Sequence, residues 1–289
     1  MSQLPTRVDF PSSGGLTVAA YRWDPQGTPR AIAQIVHGVG EHALRYTPLA
    51  EMLASRGFVV YAHDHRGHGA TLLDGQEPGA IGADGWIELV ADVGRMGRNA
   101  RTANPGLKLV LIAHSLGSFA TQQFLPEHSA EVDAVVLSGT AALDLLPLDL
   151  DAPVDLSMFN AGIPSPRTEF DWISRDEAQV DAYLADPLCG FGLDIAGMKG
   201  MVGGAVSVAA AEYVASIRAD LPLYIAVGDK DPVNGELALV NALVQRYEHA
   251  GLTDVTLKVW HGARHEIFNE INRDEVFADL LAWIDRKLS

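Results

Sequence analysis

The feature that most constrains this chain is a series of short runs that are apolar at nearly every position. They are Ala31–Val36 (AIAQIV), Phe58–Ala62 (FVVYA), Leu109–Ala113 (LVLIA), Ala134–Leu137 (AVVL) and Leu223–Val227 (LYIAV). A strand with one face in water alternates apolar and polar residues. These runs do not, so both faces must be covered, as in a parallel sheet lying between two layers of helices. Leu16–Trp23 and Val255–Val259 read as two further strands. Helical spacing predicts helices over Tyr46–Ala54, Trp86–Ala103, Leu116–Phe124, Glu236–Ala250 and Glu275–Leu288, with Gly57 placed to stop the first. The alternation predicts an α/β fold with a mostly parallel central sheet.

One stretch departs from this rhythm. From Ala141 to Ser216 there is no clear strand, and Pro147, Pro153, Pro164, Pro166 and Pro187 interrupt it. It reads as a helical cap, residues 141–216, inserted into a core formed by residues 1–140 and 217–289. Ser174 with Glu177 three residues on predicts a capped helix start. Gly200–Gly204 reads as a hinge or a plain turn.

Composition narrows the partners. At 289 residues, with 48% hydrophobic and 20% charged, the chain can bury a sizeable core and is neither disordered nor fibrous. Its 37 acidic against 21 basic residues give a net charge of −16, which repels phosphate backbones and speaks against nucleic-acid binding. Cys189 is the sole cysteine, so neither an intrachain disulfide nor a multi-thiolate metal cluster can form. No run of 18 apolar residues and no signal-like N-terminus occurs, so a cytoplasmic protein without a spanning helix is expected; transient contact with a membrane or micelle through the cap stays open.

The chemistry is written in the loops after the strands. The run LVLIA leads into Ala113-His114-Ser115-Leu116-Gly117 and then a helical pattern. Small residues two before and two after a serine, between strand and helix, give a turn tight enough to expose the serine oxygen. After AIAQIV comes His37-Gly38-Val39-Gly40-Glu41-His42, a loop of the kind that offers backbone N–H groups to an oxyanion. Asp231 follows the run LYIAV, and His265 follows the last strand. Ser115, Asp231 and His265 thus each stand just past the end of a different strand, in the chain order of an α/β-hydrolase triad. Asp229 is the alternative acid. His114 beside the serine reads as a packing residue. His65 and His68 with Asp64 and His37 suggest a metal at first sight, but Asp64–Gly69 reads better as a glycine-bent loop, and neither metal nor cofactor is expected.

These motifs together resemble the monoacylglycerol lipase and lysophospholipase branch of the α/β-hydrolases, the serine aminopeptidase S33 type, across almost the whole chain. The resemblance rests on His37–His42 followed by Arg45-Tyr46, on Asp64–Gly69, on His114–Gly117, on Asp229–Val233 and on Gly262–Glu266. Ala113 and Ser118 depart from it, standing where the branch commonly has glycine. It implies that Ser115 attacks an ester carbonyl, that His265 moves the proton and that Asp231 orients His265. It also implies an oxyanion held by the backbone N–H groups of Val39 and Leu116. The expected activity is serine carboxylic ester hydrolysis on neutral apolar esters such as monoacylglycerols. Lysophospholipid, small-ester and thioester cleavage or acyl transfer use the same triad. An aminopeptidase needs an acidic anchor, which Glu169, Asp171, Asp176 or Glu177 could supply. A non-catalytic binding protein on the same scaffold would be expected to have lost a triad member.

Overall fold

Strands and helices alternate along the chain much as the apolar runs imply. The computed structural model describes residues 4–148, 150–152 and 155–289; Asp149 and Pro153 of the proline-interrupted stretch lie outside them. The strands are β1 (Thr6–Arg7), β2 (Phe10–Pro11), β3 (Thr17–Val18), β4 (Ala20–Trp23), β5 (Ala31–Val36), β6 (Phe58–His63), β7 (Lys108–His114), β8 (Ala134–Ser138), β9 (Leu223–Gly228) and β10 (Val255–Trp260). The helices are α1 (Thr47–Ser55), α2 (Gly85–Ala103), α3 (Leu116–His128), α4 (Glu177–Ala185), α5 (Ile195–Val208), α6 (Ala211–Val214), α7 (Ala238–His249) and α8 (Arg273–Leu288).

One sheet of eight strands runs in the order β1-β4-β6-β5-β7-β8-β9-β10. From β6 to β10 neighbouring strands are parallel, and β4 and β1 join antiparallel at one end. Alternate residues of each strand enter different layers. Ile32 and Val36 of β5 pack with Leu89, Phe119 and Val240 from α2, α3 and α7. Ala31, Ala33 and Ile35 pack on the other face with Leu49 and Trp283 from α1 and α8. This two-sided burial is why the strands show no polar alternation.

Apart from the two-residue strands β1 and β2, which the sequence did not show, and the extension of α3 to His128, the structure differs from the sequence reading chiefly at four places. Leu16–Trp23 is two strands, because the backbone of Ala19 is used elsewhere: its N–H donates to the Thr71 hydroxyl and its carbonyl accepts from Asp64 N–H. β3 therefore pairs with β2 in a small hairpin, while β4 enters the main sheet. The helix expected from Glu236 begins at Ala238, since Glu236 and Leu237 adopt left-handed backbones with φ of 52° and 71°. The cap of α4 is Asp176, whose carboxylate accepts from Ala178 N–H; Ser174 instead donates to the Asn269 carbonyl. Gly200–Gly204 is neither hinge nor turn but the middle of α5, laid closely over α2 and α3. A β-carbon on Gly200 would lie 2.7 Å from Cβ of Trp86.

These contacts predict opposite outcomes for two glycines. Gly203 in α5 has open space where a β-carbon would go, so Gly203→Ala should stabilise by about 0.5–1 kcal/mol through the entropy of the unfolded chain. On Gly117 a β-carbon would sit 2.4 and 2.5 Å from the carbonyl oxygens of Val36 and His37, and Gly117→Ala should unfold or grossly destabilise the protein. Thermal denaturation of both variants checks this; an unchanged or lowered midpoint for Gly203→Ala contradicts it.

Candidate active site

Parallel strands end at one edge of the sheet, so the loops after β5, β7, β9 and β10 meet there. Ser115 joins β7 to α3 with φ 50° and ψ −120°. A non-glycine residue in such a conformation carries strain of about 1–3 kcal/mol and persists only where its surroundings hold it. Here its N–H donates to the Ser138 carbonyl at 2.9 Å, and its carbonyl accepts from Phe119 N–H at 3.0 Å. The Ser118 hydroxyl donates to that same carbonyl at 2.6 Å and lies 3.0 Å from the Thr140 hydroxyl, which gives the serine at position 118 a task a glycine could not perform.

β9 and β10 are adjacent, and the chain after β10 folds back onto the end of β9. A β-carbon on Gly228 would lie 2.0 Å from the Ala263 carbonyl oxygen. That close approach brings His265 Nδ1 to 2.9 Å from Asp231 Oδ1. A carboxylate only accepts, so Nδ1 carries the proton and Nε2 keeps its lone pair. Asp231 Oδ1 also accepts from Val233 N–H at 2.9 Å, while Oδ2 is buried without a hydrogen-bond partner. The other candidate acid points elsewhere. Asp229 accepts from Gly262 N–H and faces the exposed His261, both at 2.7 Å.

The His265 ring lies 4.9 Å from Trp172 and 4.7 Å from His114. Burial opposes its charge, but Asp231, aided by Glu266 and Glu41, outweighs burial and raises its pKa above the ordinary imidazole value. His114 is buried, its Nδ1 3.1 Å from the Ser138 hydroxyl. Burial and the neighbouring His265 hold its pKa well below that value.

Glu41 organises the loop after β5. Its Oε1 accepts from Gly38 N–H at 2.6 Å and from the Tyr46 hydroxyl at 2.7 Å. Arg45 donates to Glu41 Oε2 at 2.6 Å and, through both terminal nitrogens, to Glu266 at 2.8 and 2.7 Å. Burial works against the Glu266 charge, and the Arg45 guanidinium overcomes it, holding the carboxyl below its usual range. Arg45 thus fastens the loop bearing Val39 to the loop bearing His265. Neither this role nor the contact of Trp172 with His265 was read from sequence; the available signal was charged residues flanking glycine turns.

A cleft of about 530 Å³ opens on Ser115. Val39 and Leu116 flank it at the serine, and Phe119, Leu143, Leu146, Leu148, Leu156, Phe159, Trp172, Leu193, Met198, Met201 and Val233 extend the lining. Among the described residues no acidic or basic side chain lines it, and the backbone N–H groups of Val39 and Leu116 have no acceptor. Cys189 is not part of the lining.

A family model described as serine aminopeptidase, S33, matches residues 27–272. The chain belongs to that family of α/β-hydrolases. It is 33% identical to a monoacylglycerol lipase of Mycolicibacterium smegmatis, over 98% of this chain and 98% of that protein. To the human monoglyceride lipase it is 27% identical, over 92% of this chain and 86% of that protein. A thermostable carboxyl esterase from Bacillus coagulans, solved in complex with glycerol, superposes with a TM-score of 0.89 at 29% identity, covering 99% and 100% of the two chains. Among the described residues, no helix is long and apolar enough to cross a membrane.

Around the same edge of the sheet His37, His63, His65 and His68 pack together. Neighbouring rings lie 4.1–6.1 Å apart. Asp64, considered with them as a ligand, is engaged by Ala43 and Ala70 N–H and the Tyr21 hydroxyl, which makes it the centre of the glycine-bent loop. His37 Nε2 accepts from His65 N–H and its Nδ1 donates to the Gly38 carbonyl, so the neutral ring is required. Burial lowers all four pKa values, that of His68 to about 4, and His114 behaves alike.

The sign for stability follows. These histidines take up protons in the unfolded chain near pH 6.5 but resist doing so when folded, so their contribution is complete above that pH and lost as pH falls toward their folded values. His265, raised, acts in the opposite sense: its contribution is complete below about pH 6.5 and lost as pH rises through its folded value. Five groups outweigh one. His68 alone corresponds to about 2 kcal/mol between pH 7 and pH 5. The urea midpoint should therefore fall clearly from pH 7 to pH 5; a flat profile contradicts the neutral cluster.

Proposed function

We propose that the chain hydrolyses neutral esters of a single apolar acyl chain, monoacylglycerols foremost, through an acyl-enzyme on Ser115. Ser115 Oγ attacks the ester carbonyl while His265 Nε2 takes its proton. The carbonyl oxygen becomes an oxyanion held by the N–H groups of Val39 and Leu116. Collapse expels the alcohol, which leaves with the proton from His265. In the second half water replaces the alcohol: His265 takes a water proton, the hydroxide attacks the acyl group, and Ser115 regains its hydrogen. Asp231 keeps Nδ1 protonated and stabilises the imidazolium. Residues 141–216 act as a cap, and they supply most of the cleft beyond the serine.

The observation that carries this reading is the cleft: a serine with two backbone donors beside it that are unpaired among the described residues, at the head of a channel whose described lining carries no charge. Each methylene buried there contributes about 0.8 kcal/mol. An aminopeptidase reading lacks its anchor. Glu169 and Glu177 are exposed, Asp171 is occupied by the Thr168 hydroxyl and backbone, and Asp176 caps α4. The similarity to the mycobacterial monoacylglycerol lipase along nearly both full lengths supports the same substrate class. The net charge of −16 disfavours an anionic substrate in the encounter step.

Ser115→Ala should lower turnover by about 10⁴–10⁶ while leaving the thermal midpoint near that of the parent. Asp231→Asn should be far more damaging than Asp229→Asn, because an amide at position 231 presents the wrong partner to His265 Nδ1. Steady-state kinetics on purified variants decide both; reversed severity of the two asparagines would move the acid to Asp229.

Across monoacylglycerols or p-nitrophenyl esters of increasing chain length, kcat/KM should rise by up to about fourfold per methylene until the cleft is full. A fall beyond acetate would replace this reading with a small-ester hydrolase.

A further inference from the structure

Three side chains that the proposed reaction does not use meet beside the loop that carries Val39. His42 closes that loop, Asp186 ends α4, and Cys189 lies in the turn that follows. His42 Nε2 is 2.9 Å from Asp186 Oδ2, and one ligand atom from each of the three lies within 4.8 Å of the other two. His42 is nearly buried, Asp186 and Cys189 partly so. The turn is already fastened by its backbone: Cys189 N–H donates to the Asp186 carbonyl and Gly190 N–H to the Gly40 carbonyl, both at 3.0 Å.

We propose that His42, Asp186 and Cys189 form a binding site for one cation of the zinc class. One imidazole nitrogen, one sulfur and one carboxylate oxygen, with a fourth position left open, match a tetrahedral zinc set. A hard cation such as Mg²⁺ or Ca²⁺ would demand more oxygen ligands than the three residues hold. Tetrahedral coordination at ordinary zinc distances requires ligand atoms about 3.3–3.6 Å apart. His42 and Asp186, now 2.9 Å apart, need part only slightly, and with no two ligand atoms more than 4.8 Å apart the set closes with movements of about an ångström.

Charge balances as well. Asp186 and a Cys189 thiolate together neutralise a divalent ion, while the charge of nearby Arg45 is already met by Glu41 and Glu266. Burial, aided by the carboxylates of Glu41, Asp186 and Glu266 and opposed by Arg45, pushes the Cys189 thiol up, so the unliganded side chain stays protonated. On binding, the ion takes the sulfur's lone pair, the thiol proton leaves to the buffer, and His42 coordinates through Nε2 in its Nδ1–H tautomer. No electron transfer is involved. The bound ion would pin the 186–191 turn, which leads into the cleft residues Gly192 and Leu193, to the loop holding Val39.

The test uses the full chain, stripped of metal and titrated with Co²⁺ and then Zn²⁺. Expected are saturation at one equivalent, a thiolate-to-Co²⁺ charge-transfer band in the near ultraviolet, its loss on adding Zn²⁺, and a thermal midpoint that rises with Zn²⁺. Cys189→Ser should abolish the band. Asp186→Asn and His42→Asn should each weaken binding by at least the roughly 10- to 100-fold that loss of even an outer-shell partner costs. The metal-free thermal midpoint of each variant separates loss of ligand from loss of fold, and the near-isosteric Cys189→Ser serves where His42→Asn does not fold. No readout depends on ester hydrolysis. Binding without saturation at one equivalent, or saturation and Zn²⁺ stabilisation unaltered in Cys189→Ser, would place the ions on the acidic surface and overturn the proposal.

Discussion

The strained turn at Ser115 is the constraint on which the rest of this edge depends. A serine with φ of 50° is stable only if its flanks admit no alternative. Gly117 passes within contact distance of the β5 backbone, and the Ser138 carbonyl holds the serine N–H. These contacts require β5, β7 and β8 to be in register side by side, which the parallel core enforces through Ala113 opposite Val36 and Leu137. The core burial of β7 is thus what keeps this turn under tension.

Arg45 performs a different task at the same edge. Two carboxylates and a guanidinium removed from water are costly to bury, and such a group is rarely the best route to stability alone. Its value here is geometric. Glu41 holds the Gly38 N–H, and Glu266 adjoins His265, so the shared arginine sets the separation of two loops that no sheet hydrogen bond connects. Removing one partner would leave a buried charge unmatched, which typically costs about 3–5 kcal/mol.

The central strands were legible because burial on both faces leaves an unmistakable continuous apolar run, as in Leu109–Ala113. β1 and β2 were not, since two residues carry no period. The shift of α7 arises from left-handed backbones at Glu236 and Leu237, residue types that give no warning of them. At the site, Ser115, Asp231 and His265 could be placed because strand ends and chain order are local properties. Arg45 and Glu266 lie 221 positions apart, and Trp172 comes from a stretch without periodic pattern. Their meeting is a property of the tertiary fold alone.

The position of β10 has a bearing on how the molecule comes into being. It is an edge strand that follows β9 in the chain and, among the described residues, pairs with β9 alone, and His265 lies just beyond it. Ser115 is made 150 residues earlier, with β5, β7 and β8 available to shape its turn. On the proposed reading, a chain whose β10 has not yet docked can hold the serine turn while the base that would activate it is not in place. Such long-range pairings form late, after the local contacts. The docking of β10 onto β9 is then the step that brings the proposed base to the serine.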